Sequence, residues 1–417
     1  MRIFRASAWA AATAAAAACT LSAAATQEAA AQSADKGGIS DGVVKIGLLL
    51  DMSSIYADIT GIGSETAARM AVEDFGGTVL GKPIEIVVAD HQNKADIASS
   101  KAREWFDAGN VDAILDVAAS ATALAAMDVA KQKNKIIVMS GPGASSITGE
   151  ACGPASVHWV YNTYALAHTV GQAVVKQGGD SWFFLTADYA FGHQLEQDTA
   201  DVVTASGGKV LGDAKAPINT ADFSSYLLQA QTSKAKVIGL ANAGADTINA
   251  IKQAAEFGIV RGGQRLAGLL VYINDVHSLG LQTTQGMVLS SAFYWNMNDG
   301  TRKWSKRFYE RLQKMPNMSQ AGVYSSVTHY LKAVQAAGTD ATEPVMKAMR
   351  EMPVNDFFVK NGHVRPDGLM QHDMYLFEVK TPAESKEPWD YYKLLATVPG
   401  DQAFLPLAQS RCPLVKK

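Results

Sequence analysis

The stretch Lys45-Ile46-Gly47-Leu48-Leu49-Leu50-Asp51-Met52-Ser53-Ser54-Ile55-Tyr56 decides the fold. After Lys45 its strand half is apolar without polar alternation, the mark of a strand buried on both faces. A hydroxyl-rich loop follows. Ala67, Met70, Ala71 and Phe75 then recur at helical spacing, and Gly76-Gly77 ends that helix. Buried strand, polar turn and amphipathic helix together make one β-α unit of a parallel sheet.

The unit repeats along the chain. Short apolar runs predict strands at 84–89, 113–117, 135–139, 182–186, 237–241 and 266–271, and a last strand at 374–379 before a loop-rich tail. Between them lie helical patterns. Leu195, Thr199 and Val202 form one, closed by Gly207-Gly208. Ile248, Ile251 and Ala255 form another, with Asp246 as its expected N-cap and Gly258 at its exit. The fold class is therefore α/β, with doubly wound layers and right-handed crossovers. The alternation has two phases. One group of units ends near Thr148 and a second begins around Trp182, with 158–164 reading as an extended crossing into a helix over 165–178. A comparable crossing is expected over 286–295, and long helices after Lys303.

Arg2 and Arg5 precede an alanine-rich run over 8–18, and small residues dominate to Ala25 and again at 29–31. That order is a secretory signal peptide, expected to end after Ala25 or Ala31, with the mature chain starting between 26 and 35. The apolar run falls short of the roughly 20 residues that a spanning helix needs. Cys19 read as a lipidation cysteine is the weaker alternative, because Ala16 stands where a bulky apolar residue is usual. Of 417 residues the remainder suffices for two domains. A net charge of −3 gives no reason to expect nucleic acid or an anionic membrane surface. Cys152 and Cys412 remain after export; in an oxidising compartment a disulfide is favoured over two buried thiols.

Ligands of open α/β sheets bind beyond the carboxyl ends of strands, so the residues after each strand carry the information. Three hydroxyl-rich loops stand there: 51–56, then Ala118-Ala119-Ser120-Ala121-Thr122, then Ser140-Gly141-Pro142-Gly143-Ala144-Ser145-Ser146. Any single serine among them reads first as an ordinary helix cap. Three such loops at one sheet edge read as a pocket that donates hydrogen bonds to an anion. Catalytic signatures are missing. Gly61-Ile62-Gly63 is half a dinucleotide fingerprint, but Thr66 stands at the third glycine. No Walker loop, HExxH, GxSxG or paired CxxC occurs, and the eight histidines lack metal-ligand spacing. No cofactor and no catalysis is expected. Tyr161, Tyr164, Tyr189, Phe191, Tyr272, Phe293, Tyr294 and Trp295 gather at crossings and strand ends, mostly as core, some as a lid over a ligand.

Residues 45–75, the 140–146 turn and Thr186-Ala187-Asp188-Tyr189-Ala190-Phe191-Gly192 resemble the branched-chain amino-acid-binding family of periplasmic proteins. The likeness runs from about Val43 to at least Val379. It implies a type I periplasmic binding protein: two Rossmann-like lobes joined by a three-strand hinge, closing on a solute and delivering it to the permease subunits of an ATP-driven importer. On that basis the lobes are expected at 43–161 plus 292–370 and at 162–291 plus 371–417, in a monomer. The resemblance assigns Ser120 to a ligand carboxylate, Gly143 and Ser145 to the next contact loop, Ser54 and Tyr56 to the first, and Tyr189 to the second-lobe aromatic position. Thr122 belongs to the Ser120 loop, and Asn242 stands where the family often has a tyrosine. The departure comes after the 266–271 strand. The family places a carboxylate there for the ligand ammonium, and this chain offers Tyr272-Ile273-Asn274-Asp275. If Asp275 does not face inward, the site would reject a zwitterion, since a buried unpaired charge costs several kcal/mol. The expected ligand is a carboxylate with an apolar, aromatic body. An amino acid of the branched-chain type, a sensor role beside a membrane receptor and a secreted enzyme remain as alternatives.

Overall fold

Continuous burial on both faces requires a strand to sit inside its sheet, and β1 (Val44–Leu50) does, with every residue from Ile46 onward buried. The computed structural model describes residues 38–416, so the expected leader and Cys19 lie outside the described residues. β1 is flanked by β3 (Lys82–Asp90) and β4 (Ala113–Val117); β5 (Ile136–Met139) and β6 (Ser156–His158) follow, all parallel. The short β2 (Thr78–Val79) adds an antiparallel edge to β3. Helices α1 (Gly61–Phe75), α2 (Ala95–Asp107) and α3 (Ser120–Gln132) make the crossovers. Gly61 and Gly63, half of a nucleotide motif in the sequence, form the first turn of α1.

The chain then leaves through 159–162 into α4 (Thr163–Lys176) and builds a second sheet. Its strands are β7 (Ser181–Ala187), β8 (Lys209–Ala216), β9 (Val237–Ala241), β10 (Arg265–Gly268) and β11 (Val288–Ser291), parallel and ordered β8-β7-β9-β10-β11. Between them run α5 (Ala190–Ala205), α6 (Ser224–Thr232), α7 (Ala245–Glu256), α8 (Ile273–Leu279) and α9 (Leu281–Thr284). After β11 the chain returns to the first sheet, where α10 (Asp299–Leu312), α11 (Met318–Ala337) and α12 (Thr342–Glu351) follow and α11 packs on α1. The small hairpin β12 (His363–Val364) and β13 (Met370–Gln371) precedes the last passage. β14 (Met374–Val379) and β15 (Tyr392–Val398) then extend the second sheet antiparallel, and the short α13 (Gly400–Ala403) follows.

Each parallel sheet thus winds outward in both directions from its first strand, β1 or β7. The architecture is two doubly wound α/β lobes, and the chain passes between them three times. The passages are tied together: the His158 amide donates to the Gly368 carbonyl at 2.8 Å, and His372 Nε2 donates to the Val160 carbonyl at 2.8 Å.

Several sequence expectations are corrected. β8 and β15 were not expected; both lie at sheet edges and are largely exposed, so neither carries an unbroken apolar run. β10 ends at Gly268, three residues early. Gly244, not Asp246, caps α7; Asp246 stands in its first turn and accepts from the Asn219 amide at 3.0 Å. Cys152 and Cys412 are joined, with Cα atoms 5.6 Å apart. The bridge anchors a tail that Arg365 also holds, donating to the Leu405 carbonyl at 2.8 Å. Among the described residues no helix is long and apolar enough to cross a membrane.

Candidate functional site

In a doubly wound sheet the loops after the two strands at the reversal of order splay apart and leave a crevice. Here the crevices follow β1 and β4 in one lobe and β7 and β9 in the other, and they face each other.

The loop after β1 is wound around one acid. Asp51, fully buried, accepts from the Ser54 amide at 2.8 Å, from the Tyr56 amide at 3.1 Å and from the Ser54 hydroxyl. This turn projects Tyr56 toward the second lobe and leaves Ser54 occupied. Asp116 performs the same service for the loop after β5. Its carboxylate accepts from the Ser140 and Gly141 amides at 3.0 Å each and from the Ser64 hydroxyl at 3.2 Å. Burial pushes this carboxyl up to about 6 against those donors.

Ser120 opens α3 after β4. Its Oγ accepts from the Gly143 amide at 3.2 Å and the Ala144 amide at 3.1 Å. A serine hydroxyl offers two acceptor positions and one proton, so only the proton is left to give. The amides of the first helical turn, which have no intrahelical acceptor, stand beside it.

From the second lobe come Tyr189, at the N-cap of α5, then Phe191, Ala243, Leu270 and Tyr272. The Tyr189 and Tyr56 hydroxyls are hydrogen-bonded to each other across the crevice. Burial raises both phenols well above their ordinary value. Tyr161, on the first passage, donates to the Gly141 carbonyl at 2.5 Å and lies 2.6 Å from the Tyr272 hydroxyl, which is 3.3 Å from Ser319 Oγ. Ser319 is held by the N-terminal box of α11, where Asn317 accepts from the Gln320 amide and Gln320 from the Asn317 amide, at 3.1 Å each.

These groups leave between them a cavity of about 20 Å³, room for about one water molecule, so a ligand enters only where the facing side chains draw apart. No side chain lining it carries a charge. The walls are aromatic and aliphatic, and the polar groups are hydroxyls and backbone.

Of the residues singled out in the sequence, Tyr56, Ser120, Gly143, Tyr189 and Tyr272 come together on this lining. Five others do not. Ser54 is held by Asp51. Thr122 Oγ1 turns back to Ala119, accepting from its amide at 3.2 Å and donating to its carbonyl at 2.8 Å. Ser145 donates to Asp198 at 3.0 Å in a separate polar hollow that Tyr164 also lines. Asn242 accepts from the Thr247 hydroxyl at 2.7 Å. Asp275 reaches back to accept from the Tyr272 amide at 2.8 Å, capping α8, and burial pushes its carboxyl up to about 7. Asp188, the other nearby acid, pairs with His193 at 2.8 Å in solvent. Ile59, Tyr161, Phe191, Ala243 and Leu270 line the cavity without having been assigned to it; Tyr161 and Phe191 stood among the aromatics at strand ends, while the aliphatic residues gave no signal.

A family described as periplasmic binding protein matches residues 43–386. The chain belongs to it. Its fold is shared with a periplasmic binding protein from Burkholderia mallei, 57% identical, covering 90% of this chain and all of that one with a TM-score of 0.88. A Burkholderia xenovorans protein described as a branched-chain amino acid ABC transporter periplasmic ligand-binding protein is 43% identical, covers 89% of this chain and all of that one, and has a TM-score of 0.81. A Rhodopseudomonas palustris solute-binding protein in complex with benzoate is 19% identical, covers 89% of this chain and all of that one, and shares the fold at a TM-score of 0.79. No curated protein matches the chain. In this periplasmic binding protein, then, the crevices that meet are those of its two lobes.

Proposed function

We propose that the protein captures a small organic carboxylate with an apolar body, an aromatic acid above all, and presents it to the permease subunits of an ABC importer. The observation that carries this reading is Ser120, whose hydroxyl has both acceptor positions filled and one proton to donate into an uncharged cavity. A carboxylate is the ligand group that such a proton and the neighbouring free amides serve best. The tyrosine and phenylalanine walls suit an aromatic or aliphatic body. The protein binds rather than transforms its ligand and needs no cofactor. It acts as an exported monomer, with lobes 43–161 plus 292–370 and 162–291 plus 371–417 closing on the solute.

The Burkholderia xenovorans relative favours a second reading, an amino acid. No carboxylate stands on the lining to receive an ammonium, because Asp275 and Asp188 are turned away. Titration calorimetry with benzoate and 4-hydroxybenzoate beside phenylalanine and leucine separates the two. Tight leucine binding with no response to either acid would overturn the proposal. A protein working as a receptor's sensor would bind the same ligands but leave uptake intact when its gene is deleted.

A further inference from the structure

The second sheet has a far edge as well as a cleft edge. Leu270 and Tyr272 follow the carboxyl end of β10 into the cleft. Arg265 and Leu266 enter the same strand from its opposite end, and Gly286 and Met287 lead into β11. These four residues border a hollow that α7, α9 and the 257–264 turn wall on its other sides. It offers about 420 Å³, against about 20 Å³ in the cleft, which is room enough for a small organic molecule.

The turn is fixed by its own bonds. Ile259 is fully buried; its amide donates to the Ala254 carbonyl at 3.0 Å, and the Gly262 amide donates to the Gly258 carbonyl at 2.8 Å. Buried Gln264 donates through Nε2 to the Ala230 and Ala235 carbonyls at 3.0 and 2.9 Å. With those anchors inside, Val260 is left 55% exposed on the rim. Arg261 folds back over Gly258, its Nη2 3.6 Å from where a Cβ of that glycine would stand. The lining has two characters. Ile251, Leu266 and Met287 supply apolar surface, Arg261 and Arg265 supply two cations, and no acid stands on it. Arg265 donates to the Gln177 side-chain oxygen at 3.0 Å, a neutral partner. Among the described residues neither arginine forms an ion pair, whereas Arg69, Arg307, Arg311 and Arg365 all do.

We propose that this hollow is a second binding site, which takes an amphipathic organic carboxylate with its head on Arg261 and Arg265 and its hydrocarbon part on Ile251, Leu266 and Met287. A guanidinium presents a planar fork of donors that matches a carboxylate, and here two such forks lack an acid of their own. A cationic amphiphile would be repelled. A neutral one would gain the apolar contacts and leave both arginines unserved. The site stands at the opposite end of the sheet from the cleft and does not depend on which solute the cleft takes.

Hydrogen–deuterium exchange of the whole protein with octanoate and with octylammonium tests this. Octanoate should slow exchange of the backbone amides in 255–266 and 281–287, and octylammonium should not. Arg261→Gln/Arg265→Gln should raise the octanoate concentration needed for that protection by about tenfold or more. Ser120→Ala, altered only in the cleft, should keep it. Arg261→Gln alone changes an exposed side chain and should raise the concentration by a smaller factor; it serves if the double variant does not fold. Octanoate protection confined to the cleft loops 118–122 and 140–146, or absent altogether, would overturn the site. So would equal protection by octylammonium, or arginine variants that respond as the wild type does. Benzoate calorimetry reads the cleft separately; its failure would remove the proposed solute class and leave the exchange result standing.

Discussion

The hydroxyls of Tyr161 and Tyr272 lie 2.6 Å apart, and the carbonyl at one end fixes the order of the protons between them. Tyr161 has one proton, and the Gly141 carbonyl, which can only accept, takes it at 2.5 Å. Tyr272 must therefore donate to Tyr161, and Ser319 to Tyr272. Tyr272→Phe leaves Tyr161 a spare lone pair and frees the Ser319 hydroxyl, whose 3.3 Å bond is the longest of the series. Tyr161→Phe orphans both the Gly141 carbonyl and the Tyr272 proton. A buried unsatisfied group costs about 1–3 kcal/mol, so Tyr161→Phe should lower the thermal midpoint more than Tyr272→Phe. Equal shifts in differential scanning calorimetry would contradict this proton order.

Ser120→Ala should weaken binding of an aromatic acid by about one to two decades, the loss of a hydrogen bond worth roughly 1.5–3 kcal/mol to a charged group. Ser145→Ala should leave the affinity nearly unchanged, because its hydroxyl serves Asp198 outside the cavity. Titration of both variants with one acid checks the contrast; a large loss in Ser145→Ala alone would move the site.

Asp275 makes stability depend on pH in a definite direction. Its carboxyl is raised in the folded protein from 3.8 to about 7 by burial. The folded state therefore holds a proton that the unfolded chain releases, and this contribution is present in full below pH 3.8 and lost as the pH rises through about 7. Asp275→Asn keeps an oxygen for the Tyr272 amide and cannot ionise. It should flatten the decline in stability over that window without affecting acid binding. The decline should not vanish, since Asp116 is raised to about 6 in the same way. Urea melts from pH 4 to 8 measure the slopes; parallel curves would refute the assignment.

Replacing Cys152 and Cys412 by serine should destabilise the protein by up to about 5.6 kcal/mol in the chain-entropy account, given a separation of 260 residues. Denaturant midpoints of oxidised wild type and the double variant give the difference. Coincident midpoints would mean that the tail's other contacts suffice.

Most interior strands were legible because burial on both faces writes an unbroken apolar run, as Ala113–Val117 and Val237–Ala241 show residue for residue, while the short β6 and β11 were read only as crossings. β8 and β15 were not, because an edge strand with one wet face spells Lys-Val-Leu-Gly-Asp or Lys-Leu-Leu-Ala-Thr and resembles loop. The loops of the site could be located by the same logic, since a ligand crevice follows strand ends. Which way each side chain turns could not. Ser54 and Ser145 stand in the right loops but spend their hydroxyls on carboxylates, Ser54 on Asp51 three residues before it and Ser145 on Asp198, far along the chain and beyond any spacing rule. Asp275 could have been read correctly: three residues after Tyr272 at a helix start is the spacing at which an acid folds back on its own chain.

The bond between Cys152 and Cys412 also orders events in time. A chain synthesised from its N-terminus presents Cys152 long before Cys412, 260 residues later. Cys152 must wait as a thiol while both sheets are completed. A chain cut short anywhere before Cys412 keeps that thiol, whatever else has folded. The linkage can therefore form only after both sheets have been synthesised.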